Sequence, residues 1–191
     1  DNTPRDKIIE YSRLAGKLMY TINELHQFTI MAIEGAAIAG GFGLACLGDV
    51  LIVDSKAKFS LTETQLGLSP AQIAPYIIDK LGYKKAKLLL LTGTTLIGEE
   101  LHTIGLADKI TRSNNEMDDE INYYKNLAFK CSPGAIADTK KLLTSIFNLN
   151  RREQMEHAAQ NFTERVLSED AKEGVLAFSQ KRKPKWCKFE E

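Results

Sequence analysis

Apolar positions along the chain fall into two kinds of run, and the change from one to the other divides the sequence. Phe28 to Ile33 and Val50 to Asp54 are β-rich and apolar without alternation, as parallel strands buried on both faces would be. Lys58 to Leu61 reads as a third, shorter strand. Ahead of them, Ile8, Ile9, Ser12, Leu14, Leu18, Met19, Ile22 and Leu25 keep roughly helical spacing, which predicts a helix from Arg5 to Gln27. Pro4 suits its first turn. Between the first two strands lies Ala39-Gly-Gly-Phe-Gly43, and Leu44 to Gly48 leaves room for one or two helical turns. Ser69-Pro70 reads as a helix start, with Ser as N-cap and Pro at the first helical position. That helix would carry Ile73, Ile77, Ile78 and Leu81 inward and end near Gly82. Lys84 to Leu91 follows as another helix stopped by Thr92-Gly93, then a short helix over Gly98 to Ile104 and a short strand over Leu106 to Thr111. Strand, Gly-rich turn and helix in alternation predict an α/β core over residues 1–113.

From Asn114 the strand pattern stops. Glu116 to Lys130, Pro133 to Phe147, Arg151 to Leu167 and Ser168 to Lys183 all keep helical spacing. Ser132-Pro133 and Ser168 mark starts, and Asn148-Leu-Asn150 marks a break. Residues 114–191 are therefore expected to form an all-α region, a cap on the core or an assembly element.

Composition narrows the function classes. Acidic and basic residues balance at 25 each, so no global field draws the protein to nucleic acid or to an anionic membrane. The run Lys181-Arg-Lys-Pro-Lys185 reads first as a solvated tail. Cys46, Cys131 and Cys187 are far apart and odd in number, with no CxxC or Cys/His cluster, so neither a disulfide framework nor a metal site is expected. A reducing compartment fits such cysteine usage, and a cytoplasmic protein is the expectation. The mitochondrial matrix is the alternative if a targeting segment precedes Asp1. His26, His102 and His157 stand singly and read as structural or exposed, and Asp49 as a helix-end or turn residue.

The chemistry concentrates on the glycines. Gly40, Gly41 and Gly43 let backbone amides face a bound group closely. At the first turn of a helix those amides have no intrahelical partner and can donate to a negatively charged oxygen. An oxyanion hole or a phosphate cradle would both use that geometry. A dinucleotide fold is disfavoured: Cys46 stands at the third glycine position, and about a dozen residues separate Gly41 from Asp54 where a βαβ unit needs about thirty. A P-loop is excluded because no Lys-Ser or Lys-Thr follows the glycines.

The order of buried strand, Ala39-Gly-Gly-Phe-Gly43, short helix, Asp49, strand, Lys56-Ala-Lys-Phe59, Thr62-Glu63 and Leu66-Gly-Leu-Ser-Pro70 resembles the crotonase (enoyl-CoA hydratase/isomerase) superfamily. Thr92-Gly93 and Gly105-Leu-Ala-Asp-Lys-Ile110 extend the likeness over nearly the whole chain. Gly-Gly-Phe-Gly-Leu together with Ser-Pro-Ala-Gln-Ile-Ala-Pro is nearest in look to the isohexenylglutaconyl-CoA hydratase branch. The resemblance implies a spiral of ββα turns, a helical C-terminal trimerisation region giving a homotrimer or dimer of trimers, and an acyl-CoA substrate without a further cofactor. It implies the Gly40 amide as one of two oxyanion donors and Glu63, among apolar Phe59, Leu61 and Leu66, as acid/base. Gly41, Pro70 and Ala71 would line the substrate site, with Ile73, Ala74 and Tyr76 as further pocket walls. Phe162, Phe178 and Lys181 match positions near the CoA adenine and phosphates. Two departures stand out. Gly43 occupies the position of the family's first glutamate, and the opening strands of the family, with the second oxyanion donor, would lie upstream of Asp1. Both leave room for a rival reading, a non-catalytic acyl-CoA-binding or assembly protein.

Overall fold

The computed structural model describes residues 3–187 and forms two compact units. The first holds the described residues up to Glu24 together with Thr29–Asn122; the second holds Leu25–Phe28 and the described residues from Tyr123 onward.

In the first unit, helix α1 (Arg5–Asn23) precedes strands β1 (Ile30–Ile33) and β2 (Ala36–Ile38) and the short helix α2 (Gly40–Ala45). Strands β3 (Val50–Asp54) and β4 (Lys58–Ser60) follow, then a 3₁₀ turn over Thr62–Leu66 and helix α3 (Ala74–Thr92). The unit continues through β5 (Leu96–Ile97), α4 (Gly98–Thr103), β6 (Lys109–Thr111) and the opening of α5 (Asn114–Phe129). Each β–β pair gives one strand to each of two small sheets. β1 and β3 run parallel in a sheet of order β1-β3-β6, while β2 and β4 run parallel in a sheet of order β2-β4-β5. This is the ββα turn in space: the strands at 30–33 and 36–38 separate to different sheets, and the chain returns by a helix.

The unalternated runs are buried as the pattern predicts, with Ile52 and Val53 of β3 fully enclosed. Phe42 of α2 meets Phe59 of β4 edge-on, ring centroids 5.5 Å apart. Leu61, Ile77 and Leu101 complete the centre of the core. Each such side chain contributes about 1.5–3 kcal/mol on leaving water.

Several local expectations need correction. β2 and β5, only three and two residues long, carry too little pattern to stand out. Helix α2 begins on Gly40 itself rather than at Leu44. Ser69 does not cap α3, whose N-cap is Ile73 and whose first turn holds Pro75; Pro70 instead closes a turn, its carbonyl accepting from the amides of Ile73 (3.2 Å) and Ala74 (3.0 Å). Gly82, at φ 71°, breaks the helical geometry within α3 near where a boundary is expected. Helix α1 buries Met19 alone, and its Ile8, Leu14 and Leu18 are exposed.

In the second unit, α6 (Pro133–Ile146), α7 (Arg151–Val166) and α8 (Glu169–Ser179) start where side chains cap them. Ser132 Oγ accepts from Ala135 N (3.0 Å), and Ser168 Oγ from Ala171 N (3.2 Å). Asn150 Oδ1 accepts from the amides of Arg152 and Glu153, while Glu153 returns a carboxylate to Asn150 N (2.9 Å), a complete capping box. Arg165 Nη1 donates to Asp138 Oδ2 (2.7 Å), joining α7 to α6. Past α8, Glu173 receives both guanidinium nitrogens of Arg182 (2.6 and 3.0 Å) and the amide of Lys185 (2.9 Å), and Trp186 Nε1 donates to Lys130 O (3.3 Å). No described helix is long and apolar enough to cross a membrane.

Candidate functional site

The site is built where β2 and β4 end. Their parallel register pairs Ile38 with Ser60, so the chain leaves both strands at the same edge. Gly40 follows Ile38 by two residues and Glu63 follows Ser60 by three, which brings the two expected groups to one end of the sheet. Crevices outside the carboxyl ends of parallel strands are the usual location of α/β ligand sites.

The turn into α2 is held in an uncommon shape. Ala39 sits at φ 51°, ψ −121°, and its amide donates to Ser60 O (2.8 Å). A non-glycine residue at positive φ is strained, at a cost of about 1–3 kcal/mol, and such strain gathers at functional turns. The first bond inside the helix runs from Gly43 N to Ala39 O (3.1 Å). The amides of Gly40, Gly41 and Phe42 therefore precede the helical ladder. A Cβ on Gly40 or Gly41 would meet no atom within 4 Å, so open space lies before these two residues. Gly41 also edges an open groove of about 510 Å³ shared with Met31, Ile33, Ile38 and Leu44.

Glu63 lies on the 3₁₀ turn, whose end is fixed by Gly67 at φ 74° and by Leu68 N donating to Glu63 O (2.8 Å). Its Oε2 is buried and has no hydrogen-bond partner among the described residues. Buried carboxylate oxygens are normally satisfied, and an orphan one asks for an explanation. Phe59 and Leu61 are enclosed as expected, whereas Leu66 is 72% exposed and does not wall the carboxylate. Thr64 Oγ1, on the same turn, is a second buried oxygen without a partner among the described residues. Sequence reasoning missed it, and missed the strain at Ala39, because neither residue type announces its role.

Pro70 and Ala71 lie on the turn into α3; Pro70 is half-buried and Ala71 exposed. The next residue, Gln72, donates to Ser12 Oγ of α1 (2.9 Å). Tyr76 is half-buried, and burial, then the charges of Glu24 and Asp79, push its phenol up, so it stays a neutral hydroxyl. Gly43 is enclosed, with Ile73 directly against it. Cys46, beneath α2, is no nucleophile: burial pushes its thiol up to about 12 despite the opposing charge of Lys80. Asp49 ties β1 to β3, its carboxylate accepting from Thr29 N (2.8 Å) and Thr29 Oγ1 (3.0 Å). His102 is structural, its Nδ1 2.9 Å from Ala107 O.

Phe162, Phe178 and Lys181 belong to the second unit. Phe162 on α7 and Phe178 on α8 are 70% and 88% exposed, so neither is a core residue. Lys181 is exposed just past α8, at φ 53°, its amide donating to Phe178 O (3.1 Å). Among the described residues no group of three or more His, Cys, Asp or Glu side chains could hold a metal ion.

Together these features define an α/β protein whose candidate chemistry stands at the ends of two parallel strands. The chain belongs to the enoyl-CoA hydratase/isomerase family, whose pattern matches residues 6–188. It is 31% identical over 176 residues to the carnitinyl-CoA dehydratase of Proteus mirabilis, covering 85% of this chain and 64% of that protein. The fold matches the crystal structure of an enoyl-CoA hydratase/isomerase from Marinobacter aquaeolei at a TM-score of 0.92 and 34% identity, over 98% of this chain and 71% of that one. Pseudomonas aeruginosa AtuE matches at 0.93 and 34%, over 97% and 72%. The crotonase fold expected from the motifs is thereby established. The chain spans about two thirds of the length of the curated relatives it matches.

Proposed function

We propose that the protein acts on acyl-CoA thioesters as an enzyme of hydratase/isomerase type, with the Gly40 amide as oxyanion donor and Glu63 as acid/base. The observation that carries this reading is the buried, partnerless Glu63 Oε2 at the same strand ends as the uncommitted amides that open α2. A thioester carbonyl seated at Gly40 would accept from that amide. A donor already in place at a developing enolate is worth about 3 kcal/mol. The polarised thioester makes an α-proton removable and the β-carbon open to water. Glu63, whose Oε2 is buried and has no hydrogen-bond partner among the described residues, is placed to take and return that proton. Gly41, Pro70 and Ala71 would border the acyl group. Family membership supports the substrate class, and walls as small as Ala71 and Ala74 would leave room for a branched or long chain.

Phe162, Phe178 and Lys181 would serve the coenzyme: an aromatic face for adenine, an ammonium for phosphate. Their exposure supports such a role, as it supports a self-associating helical surface in a homotrimer or dimer of trimers. A cytoplasmic enzyme without metal or further cofactor completes the proposal.

The rival, an acyl-CoA-binding or assembly protein, is favoured by one observation: no side chain stands at Gly43. Binding and turnover measured side by side over several enoyl-CoAs separate the two. Loss of the conjugated thioester absorbance supports the enzyme. Tight binding with no turnover of any substrate identifies the binding protein.

A further inference from the structure

Position 43 is not merely empty; it is closed. A Cβ on Gly43 would lie 2.3 Å from Ile73 Cγ2 and 2.8 Å from Ile73 Cβ, with Met19 Cε at 3.5 Å. The second distance matters more. A γ-methyl can turn away, but a Cβ moves only with its backbone, and a β-branched side chain has few alternatives at χ1. Both backbones are pinned. Gly43 N donates to Ala39 O (3.1 Å) and Gly43 O accepts from Cys46 N (3.2 Å). Ile73 N donates to Pro70 O (3.2 Å) and Ile73 O accepts from Ile77 N (3.2 Å). Ile73 is 4% exposed, so it has no open direction in which to retreat.

We propose that Ile73 is a reaction-specificity residue: it takes the volume that any side chain at position 43 would need and thereby keeps the site to one carboxylate, Glu63. This rests on the function proposed above and deepens it. The family resemblance puts a glutamate at position 43, and the geometry here refuses one.

The consequence is chemical. In α-proton transfer the C–H bond breaks, the proton goes to Glu63, and the electron pair runs to the thioester oxygen; return of a proton to carbon closes the cycle. One carboxylate suffices. In water addition the water oxygen bonds to the β-carbon and gives up a proton, while the α-carbon gains one. Two carboxylates could divide those tasks; with no side chain at Gly43 both fall to Glu63, and Ile73 closes the space a second carboxylate would need. Ile73 therefore weights the site toward proton transfer relative to a site that holds both acids.

The test is a cycle of Gly43→Glu, Ile73→Gly and the double variant. Position 73 is the N-cap of α3, where glycine is well tolerated. Melting temperature is read alongside two reactions: hydration of crotonyl-CoA, and α-proton exchange of butyryl-CoA in D₂O. Gly43→Glu should lower the melting temperature in the wild-type background and not in the Ile73→Gly background. The ratio of hydration to exchange should rise at least tenfold in the double variant over Ile73→Gly alone. Equal melting shifts in the two backgrounds, or an unchanged ratio in a folded double variant, overturn the proposal. Should the glutamate variants not fold, Gly43→Ala in both backgrounds reads the same steric coupling. Absence of both reactions in the wild type would sink the enzyme reading, while the melting data would still decide whether Ile73 closes position 43.

Discussion

Phe59 and Phe178 are the same residue in opposite settings. Phe59, in the first unit, is completely enclosed and stacked edge-on against Phe42; Phe178, in the second, is 88% exposed. The contrast extends to the elements around them. β3 buries four of its five residues, whereas α6 and α7 bury none and leave Phe147, Met155 and Phe162 in the open. The first unit is held by packing. The second is held by caps and ion pairs and presents its apolar side chains outward, as a surface that meets a partner or a ligand does.

Four measurements test that contrast. Phe59→Ala should have the largest effect, a loss of about 3–5 kcal/mol in urea unfolding, because the cavity adds to the lost transfer energy. A loss below about 1 kcal/mol would mean the first core is loosely packed.

The second unit should respond to acid instead. Arg182's hydrogen bonds above all, with help from the Lys185 amide, hold the Glu173 carboxyl from 4.5 down to about 2. Its folded pKa is depressed, so its contribution is complete above pH about 4.5 and is lost as pH falls toward about 2. Trp186, the only tryptophan in the sequence, packs against Gly174 beside this latch and reports on it. Its emission should hold steady from pH 7 to about 4.5 and shift below that. Glu173→Gln should show the released emission already at pH 7.

Thiol labelling gives a third, smaller reading. Cys131 is exposed and Cys46 is buried with its thiol raised to about 12. At pH 8 Cys131 should react with a disulfide reagent and Cys46 only on unfolding. Last, Phe178→Ala should change the stability of the monomeric chain by no more than about 0.5 kcal/mol. A larger loss would show that Phe178 packs within its own unit.

How much of this was legible in the sequence follows from pattern length. β3 was recovered residue for residue because four consecutive apolar residues with no alternation, closed by Asp54, admit few other readings. The caps at Ser132 and Ser168 were legible because each Ser stands directly before a long helical pattern, with Pro or acidic residues in its first turn. β2 and β5 were not: such short runs carry little period, and β4 and β6, equally short in the fold, were read only as parts of the longer runs Lys58 to Leu61 and Leu106 to Thr111. Ser69-Pro70 misled because the same pair also suits a turn, and the carbonyl of Pro70 is used to close one. Of the candidate site, Gly40 and Glu63 are expected from motif order, and the register of β2 on β4 brings both to one edge of the sheet. Ile73 against Gly43 could not be read, because the contact joins residues thirty positions apart whose types are ordinary core choices.

Glu63 is proposed as the acid/base of this site, and Glu63→Gln tests that role most directly. The substitution keeps the shape and removes the proton-transfer group. Turnover of a suitable enoyl-CoA should fall at least about a hundredfold, the usual share of a positioned acid or base, with binding of the CoA ester and the melting temperature nearly unchanged. Turnover equal to wild type would remove Glu63 from the mechanism and contradict the account.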